Sequence, residues 1–173
     1  MANHLNDLSR DHPDLVVETA ARWLAASEAS TAATVRHGLR TLVKRGHPGA
    51  LVLLGFDAGH QGVRVGAVSV DRAVVALGET VEFTAVIGND GDTPARVAVD
   101  YVVHHRKANG GRTAKTFKLT TATINPGDTL VVRRNHPFRV ITTRRYHPSA
   151  HAIGLLVNGV ASPIVEFELT TGR

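Results

Sequence analysis

The chain has 173 residues, room for one ordinary domain or two small ones. Twenty Lys and Arg against fifteen Asp and Glu give a formal net charge of +5, with ten histidines besides, a balance that suits a polyanionic partner without requiring one. Cysteine is absent, which excludes a disulfide scaffold, a Cys-ligated zinc site and a thiol nucleophile, and an aromatic content of 5% supplies a base-stacking platform poorly.

Residues 1–56 read as helix. Ala2 to Ser9 forms a first short segment. Pro13 after Asp11 and His12, with Asp14 three residues beyond Asp11, is a capping arrangement for a second. Leu15, Val16, Ala20, Trp23 and Leu24 then recur at helical spacing, which puts Trp23 in the core. Ser30-Thr31 starts a third helix carrying Val35, Leu39, Leu42 and Val43, with Gly46 as its stop, and His47-Pro48 opens a fourth containing Leu51, Leu53 and Leu54. The stretch 57–62 is a linker by composition.

From Val63 the period switches to two. The alternating runs are Val63 to Ala67, Val81 to Ile87, Val97 to Val103, Phe117 to Leu119, Leu130 to Val132, His151 to Val157 and Ile164 to Leu169. Turn sequences separate them, among them Asn109-Gly110-Gly111, Asn125-Pro126-Gly127-Asp128 and Asn158-Gly159. Around seven such strands predict an immunoglobulin-like sandwich over 63–173. The fold class expected is α+β with segregated domains. Four short helices bury little surface, so two readings of 1–56 stand: the last repeats of a longer helical array, or a small cap docked on the sandwich.

Charge is unevenly placed. Between Tyr101 and Ala150 stand ten Lys and Arg, among them Arg106, Lys107, Arg112, Arg144 and Arg145, against one acid, Asp128. Such polarity points to a nucleic-acid face, with Asn109-Gly110-Gly111 as a basic loop that follows phosphates. On the third helix Arg36, Arg40 and Lys44 are four apart and stack on one face, with Arg45 beside them. The histidines do not suggest a metal site. His104 and His105 point to opposite faces of a strand, and His147 and His151 have no nearby carboxylate. No serine sits in a nucleophile-elbow context and no glycine-rich phosphate loop precedes a helix.

Two segments resemble a known family: residues 2–14, from Ala2-Asn3-His4-Leu5-Asn6-Asp7 through Asp11-His12-Pro13-Asp14, and Val35-Arg36-His37-Gly38-Leu39-Arg40 through Gly46-His47-Pro48 to Leu54-Gly55-Phe56. They resemble the terminal HEAT-like repeats of DNA alkylation repair proteins of the AlkC type, relatives of the AlkD glycosylases. Thr143 to Pro148 and Leu156 to Gly159 are similar to the late strands of the immunoglobulin-like domain some of them carry. The resemblance implies glycosylases that excise cationic alkylated purines such as 3-methyladenine. Charge on the lesion already favours its departure, and carboxylates steady the oxocarbenium-like transition state. It also implies that most of the catalytic apparatus lies in earlier repeats, with Asn3, Asn6 and Asp7 bordering that site.

The expectation is therefore a C-terminal piece of such a protein that binds duplex DNA without sequence preference through Arg36, Arg40, Lys44, Arg45, Arg106, Lys107, Arg112, Arg144 and Arg145. No catalytic residue is assigned, and no cofactor, metal or membrane is expected. The setting expected is cytoplasmic and nucleoid-associated, since the chain shows no signal peptide and no apolar run of the roughly 20 residues a membrane span requires. The rivals are a complete small glycosylase and a β-sandwich module that binds protein.

Overall fold

The computed structural model describes residues 2–26, 29–56, 58, 62–139 and 146–171. Among these residues five helices come first: α1 (Ala2–Leu8), α2 (Pro13–Ala25), α3 (Ala29–Gly38), α4 (Arg40–Lys44) and α5 (Pro48–Leu53). Ten strands follow: β1 (Val63–Val65), β2 (Ser69–Val70), β3 (Val74–Ala76), β4 (Thr80–Asn89), β5 (Ala95–Arg106), β6 (Arg112–Ile124), β7 (Thr129–Pro137), β8 (Ser149–Val157), β9 (Val160–Ala161) and β10 (Val165–Thr170). The result is a mixed α+β fold.

The helices meet over a small core of Leu5, Val16, Ala20, Val35, Leu39, Leu42 and Ala50. Two expectations need correcting. Asp11 does not cap α2: the N-cap is His12, which makes no side-chain cap bond, and Pro13 sets the first turn with its fixed φ. The third predicted helix is broken at Leu39 into α3 and α4. Trp23 is half-buried against the helical core. Polar latches supplement this core. Asn6 Oδ1 accepts from the Thr41 amide at 3.3 Å, and His47 Nε2 lies 3.1 Å from Asp14 Oδ1.

The strands form two sheets. In one, β4 pairs with β7 along its length and, at successive stretches, with β2 and β1. In the other the order is β3-β10-β8-β5-β6, with β9 on β8 and only the β3–β10 pair parallel. The period of two turns Val81, Phe83, Ala85 and Ile87 of β4 and Val97, Val99, Tyr101 and Val103 of β5 inward, into the core that both sheets share. Each of the seven predicted runs overlaps a strand, although Gly66 and Ala67 lie beyond β1 and Ile164 lies before β10; β2, β3 and β9 are too short for their pattern to show. Most of the predicted linker, residues 57 and 59–61, lies outside the described residues.

Candidate nucleic-acid interface

The helices and sheets touch where α4 ends and the β8–β9 turn begins. Gly46 and Gly159 both have positive φ, +70° and +86°. Their backbones pack so closely that a Cβ on Gly159 would lie 2.1 Å from the Gly46 Cα. Only glycine on both sides permits this approach. Asn158, with a φ of +46°, holds the turn on β5: its Oδ1 accepts from the Ala98 amide at 2.7 Å and its Nδ2 donates to the Arg96 carbonyl at 3.2 Å. Beside this contact Arg96 donates to the Leu54 carbonyl at 3.1 Å and lies 5.0 Å over the Phe56 ring.

A groove of about 230 Å³ opens at this junction. Arg36, Arg40 and Lys44 line it from α3 and α4, Arg96 and Lys118 from β5 and β6, with Thr120, Thr121 and Phe56 between them. Among the described lining residues the one acid is Asp100, opposite Lys118 in the ladder at a β-bulge and only 7% exposed. Burial pushes the Asp100 carboxyl above the ordinary carboxylate range, and Lys44 and Lys118 pull it back down. Arg40 is pre-oriented by the His37 carbonyl at 2.8 Å and Asn3 Oδ1 at 3.3 Å. Five cationic groups around one carboxylate make a cleft whose field attracts anions, and guanidinium forks match phosphate oxygens.

The stripe Arg36, Arg40 and Lys44 thus shares one groove although the helix carrying it is broken. Arg45 caps α4, exposed and away from the groove lining. Arg106, Lys107 and Arg112 stand at the β5–β6 hairpin tip, where Lys107 accepts from Gly110 and donates to Gly111. Ten residues of β5 separate Arg96 from Arg106, about 33 Å of strand. Arg112 is already paired with Glu166. Arg144 and Arg145 lie outside the described residues. Asn3 and Asn6 hold α1 to α3 and α4.

Arg96 and Lys118 were the residues missed as groove cations. Arg96 alternates with the inward Val97, so its exposure was readable; its meeting with α4 was not.

Three of the histidines converge in the sandwich core. His104 is on the outer face of β5, and His105 is buried with His136 and His151 among Tyr101, Phe138, Tyr146 and Phe167. Their ring centroids are 5.7 Å apart for His105–His151 and 6.3 Å for His105–His136. His151 Nε2 donates to the His147 carbonyl at 2.9 Å, and burial pushes the His151 imidazole below its ordinary range.

Comparison with known proteins gives this arrangement relatives. Residues 64–171 match the family described as "Uncharacterised protein YhaZ, C-terminal Ig-like domain". YhaZ of Bacillus subtilis is 30% identical over 98% of this chain and 46% of its own length. The solved alkylpurine DNA glycosylase AlkC of Pseudomonas fluorescens, bound to DNA containing an abasic site analog, is 35% identical over 98% of this chain and 46% of that one, with a TM-score of 0.88. A β-glucosidase of Erythrobacter marinus, 17% identical over 62% of this chain and 15% of its own, with a TM-score of 0.52, shares the sandwich fold alone. The chain spans less than half the length of YhaZ and AlkC. The match over most of its length places the chain in the family of the YhaZ C-terminal Ig-like domain.

Proposed function

We propose that the chain is a DNA alkylation repair protein segment that grips duplex DNA without sequence preference, through backbone phosphates. The observation that carries the reading is the junction groove, which brings the cations of α3 and α4 together with Arg96 and Lys118. The likeness to a glycosylase bound to DNA over 98% of the chain supports it. In this reading residues 1–56 are terminal HEAT-like repeats, 57–62 a linker and 63–173 the sandwich. The cations at the β5–β6 tip, Arg106, Lys107 and Arg112, follow the same duplex about one turn, roughly 34 Å, away. Arg45, Arg144 and Arg145 complete the proposed contacts. In this reading, excision of cationic alkylated purines such as 3-methyladenine requires the full-length protein of which this chain is a part, and the proposed setting is cytoplasmic, at the nucleoid. Among the described residues no helix is long and apolar enough to cross a membrane.

Anisotropy of a fluorescein-labelled duplex tests this. Phosphate contacts release counterions, so log affinity falls linearly with log salt, by about 0.9 per phosphate. The five groove contacts alone contribute about −4.5 to that slope, and Arg40→Ala or Lys118→Ala each make it shallower by about one unit. Arg22→Ala changes little, since Arg22 donates to Thr19 on its own helix and is not among the groove-lining residues described. A flat salt response, or equal losses from Arg22→Ala and Arg40→Ala, rejects the reading in favour of a sandwich that binds protein.

A further inference from the structure

Among the described residues lining the junction groove, Asp100 alone carries the charge sign of a phosphate. It is no rim residue. Only 7% exposed, it stands in the groove wall on the outer face of β5, where the register with β6 shifts. Among the described residues no side chain or amide donates a hydrogen bond to its carboxyl, and none forms an ion pair with it. Lys44 from α4 and Lys118 from β6 act on it through space, and burial outweighs their pull. Arg36 and Arg40 enter the same groove from the helices, and Arg96 stands four residues back on β5. The β8 partner, Leu156, is uncharged. His104, four residues on along β5, lies beyond the lining, and no histidine is among the described lining residues.

A buried carboxyl without a donor or a paired cation is costly as an anion and far less so as a neutral acid. A phosphate arriving among the five cations competes for Lys44 and Lys118 and sets a second negative charge beside Asp100. Two anions side by side in a half-enclosed site repel, the situation that leaves paired carboxylates sharing one proton. A proton on Asp100 removes the repulsion and supplies an O–H donor. We propose that Asp100 is a sixth phosphate-binding group of the groove, which takes one proton from solvent on binding and donates a hydrogen bond to a phosphate oxygen. This rests on the phosphate reading of the groove and adds a sensitivity to pH that Arg and Lys, charged in general from about pH 5 to 8, do not give. The free carboxyl titrates above the ordinary carboxylate range, and the bound one higher still. Between those two values the complex holds more protons than its separate parts. Affinity is therefore fullest below the free value and falls as pH rises through the interval.

Calorimetry with an unlabelled duplex, in buffers of different ionisation enthalpy, counts the protons taken up. Histidines elsewhere add to that count, so Asp100→Asn, which keeps the shape and does not titrate, is the reference. From about pH 5.5 to 8 the affinity of the parent chain is expected to fall at least about threefold further than that of Asp100→Asn. The parent should also take up more protons than the variant, by at most one. At the alkaline end Asp100→Asn should bind at least about threefold tighter, because its binding requires no proton. Equal pH dependence in the two chains overturns the proposal. So does weaker binding by Asp100→Asn at the alkaline end, which would make the carboxylate an ionised holder of Lys44 and Lys118. Lys118→Met takes a cation from beside the carboxyl and should move the fall in affinity to higher pH. An unmoved profile overturns the proposal even if Asp100→Asn fails to fold. A duplex affinity indifferent to salt rejects the DNA reading instead. The Asp100 carboxyl resonance is then followed by NMR through a pH titration in chloride and in inorganic phosphate of equal ionic strength. A midpoint raised by phosphate sustains the proposal for the anion alone, and an unmoved midpoint overturns it.

Discussion

The helical segment and the sandwich solve the same problem with unequal means. Among the described residues, eighteen that are buried, including Phe83, Phe138, Phe167 and Tyr101, form one core between the sheets; the helices share seven, two of them alanines. Aromatic side chains bury the most apolar surface per residue, so the larger core is also the denser source of stabilisation. The helices compensate with polar latches, Asn6 to Thr41 and Asp14 to His47, and with the Gly46–Gly159 seat on the sandwich. Short helices draw most of their stability from what they pack against, so the junction should matter more to the helices than to the sandwich.

The largest effect should come from the sandwich core. Phe138 is fully buried among His105, His136, Tyr146, His151 and Phe167. Phe138→Ala is expected to cost about 3–5 kcal/mol in urea unfolding. Leu42→Ala, at the centre of the helical core, is expected to cost about 2–5 kcal/mol locally, with loss of helical ellipticity while the strand signal persists. A single transition that takes both signals together in Leu42→Ala breaks the comparison.

Gly159→Ala addresses the seat between the two regions. A left-handed residue with a Cβ costs about 1–2 kcal/mol, and here the Cβ also meets the Gly46 backbone. Proteolysis of α4 and α5 should accelerate markedly. Gly127→Ala has a similar φ, +77°, and open space around its Cβ, so it reports the backbone cost alone. Equal protease sensitivity in the two variants would show that the glycine contact does not couple the regions.

Acid should act on the sandwich first. Burial holds the His151 imidazole below its ordinary pKa of about 6.5. The folded protein then binds fewer protons than the unfolded chain as pH falls below that value. The stability His151 contributes is present above about pH 6.5 and is lost as pH falls through the depressed folded value. Urea midpoints measured from pH 7.5 down to 5 should fall, and His151→Gln should flatten that fall. An unchanged slope in His151→Gln removes His151 as a cause.

The smallest effect is expected at Arg64, whose pair with Asp90 is more than half exposed on both sides. Arg64→Ala should shift the thermal midpoint by no more than the error of the measurement, because water and salt screen such pairs. A clear destabilisation would mean that the β1 edge is held by charge rather than by the core.

Much of this was written locally in the chain. The period of two placed Val81 to Ile87 and Val97 to Val103 on the inner faces, the helical period placed Val35, Leu39 and Leu42 in the small core, and Asn158-Gly159 marked a tight turn. The stacking of Arg36, Arg40 and Lys44 was equally a matter of spacing. What sequence could not supply was any relation between residues far apart in the chain. Asp11 looked like a cap, yet the chain enters α2 through His12 and Pro13. Arg96 and Lys118 are unremarkable strand positions until the Gly46–Gly159 contact sets α4 over β5 and β6. Asp100 becomes a buried carboxylate, and His105, His136 and His151 become one cluster, only when strands many residues apart pair in register. Periodicity is a property of neighbouring residues and survives in the sequence; charge convergence and burial depend on which distant backbones approach, and only the tertiary structure decided that.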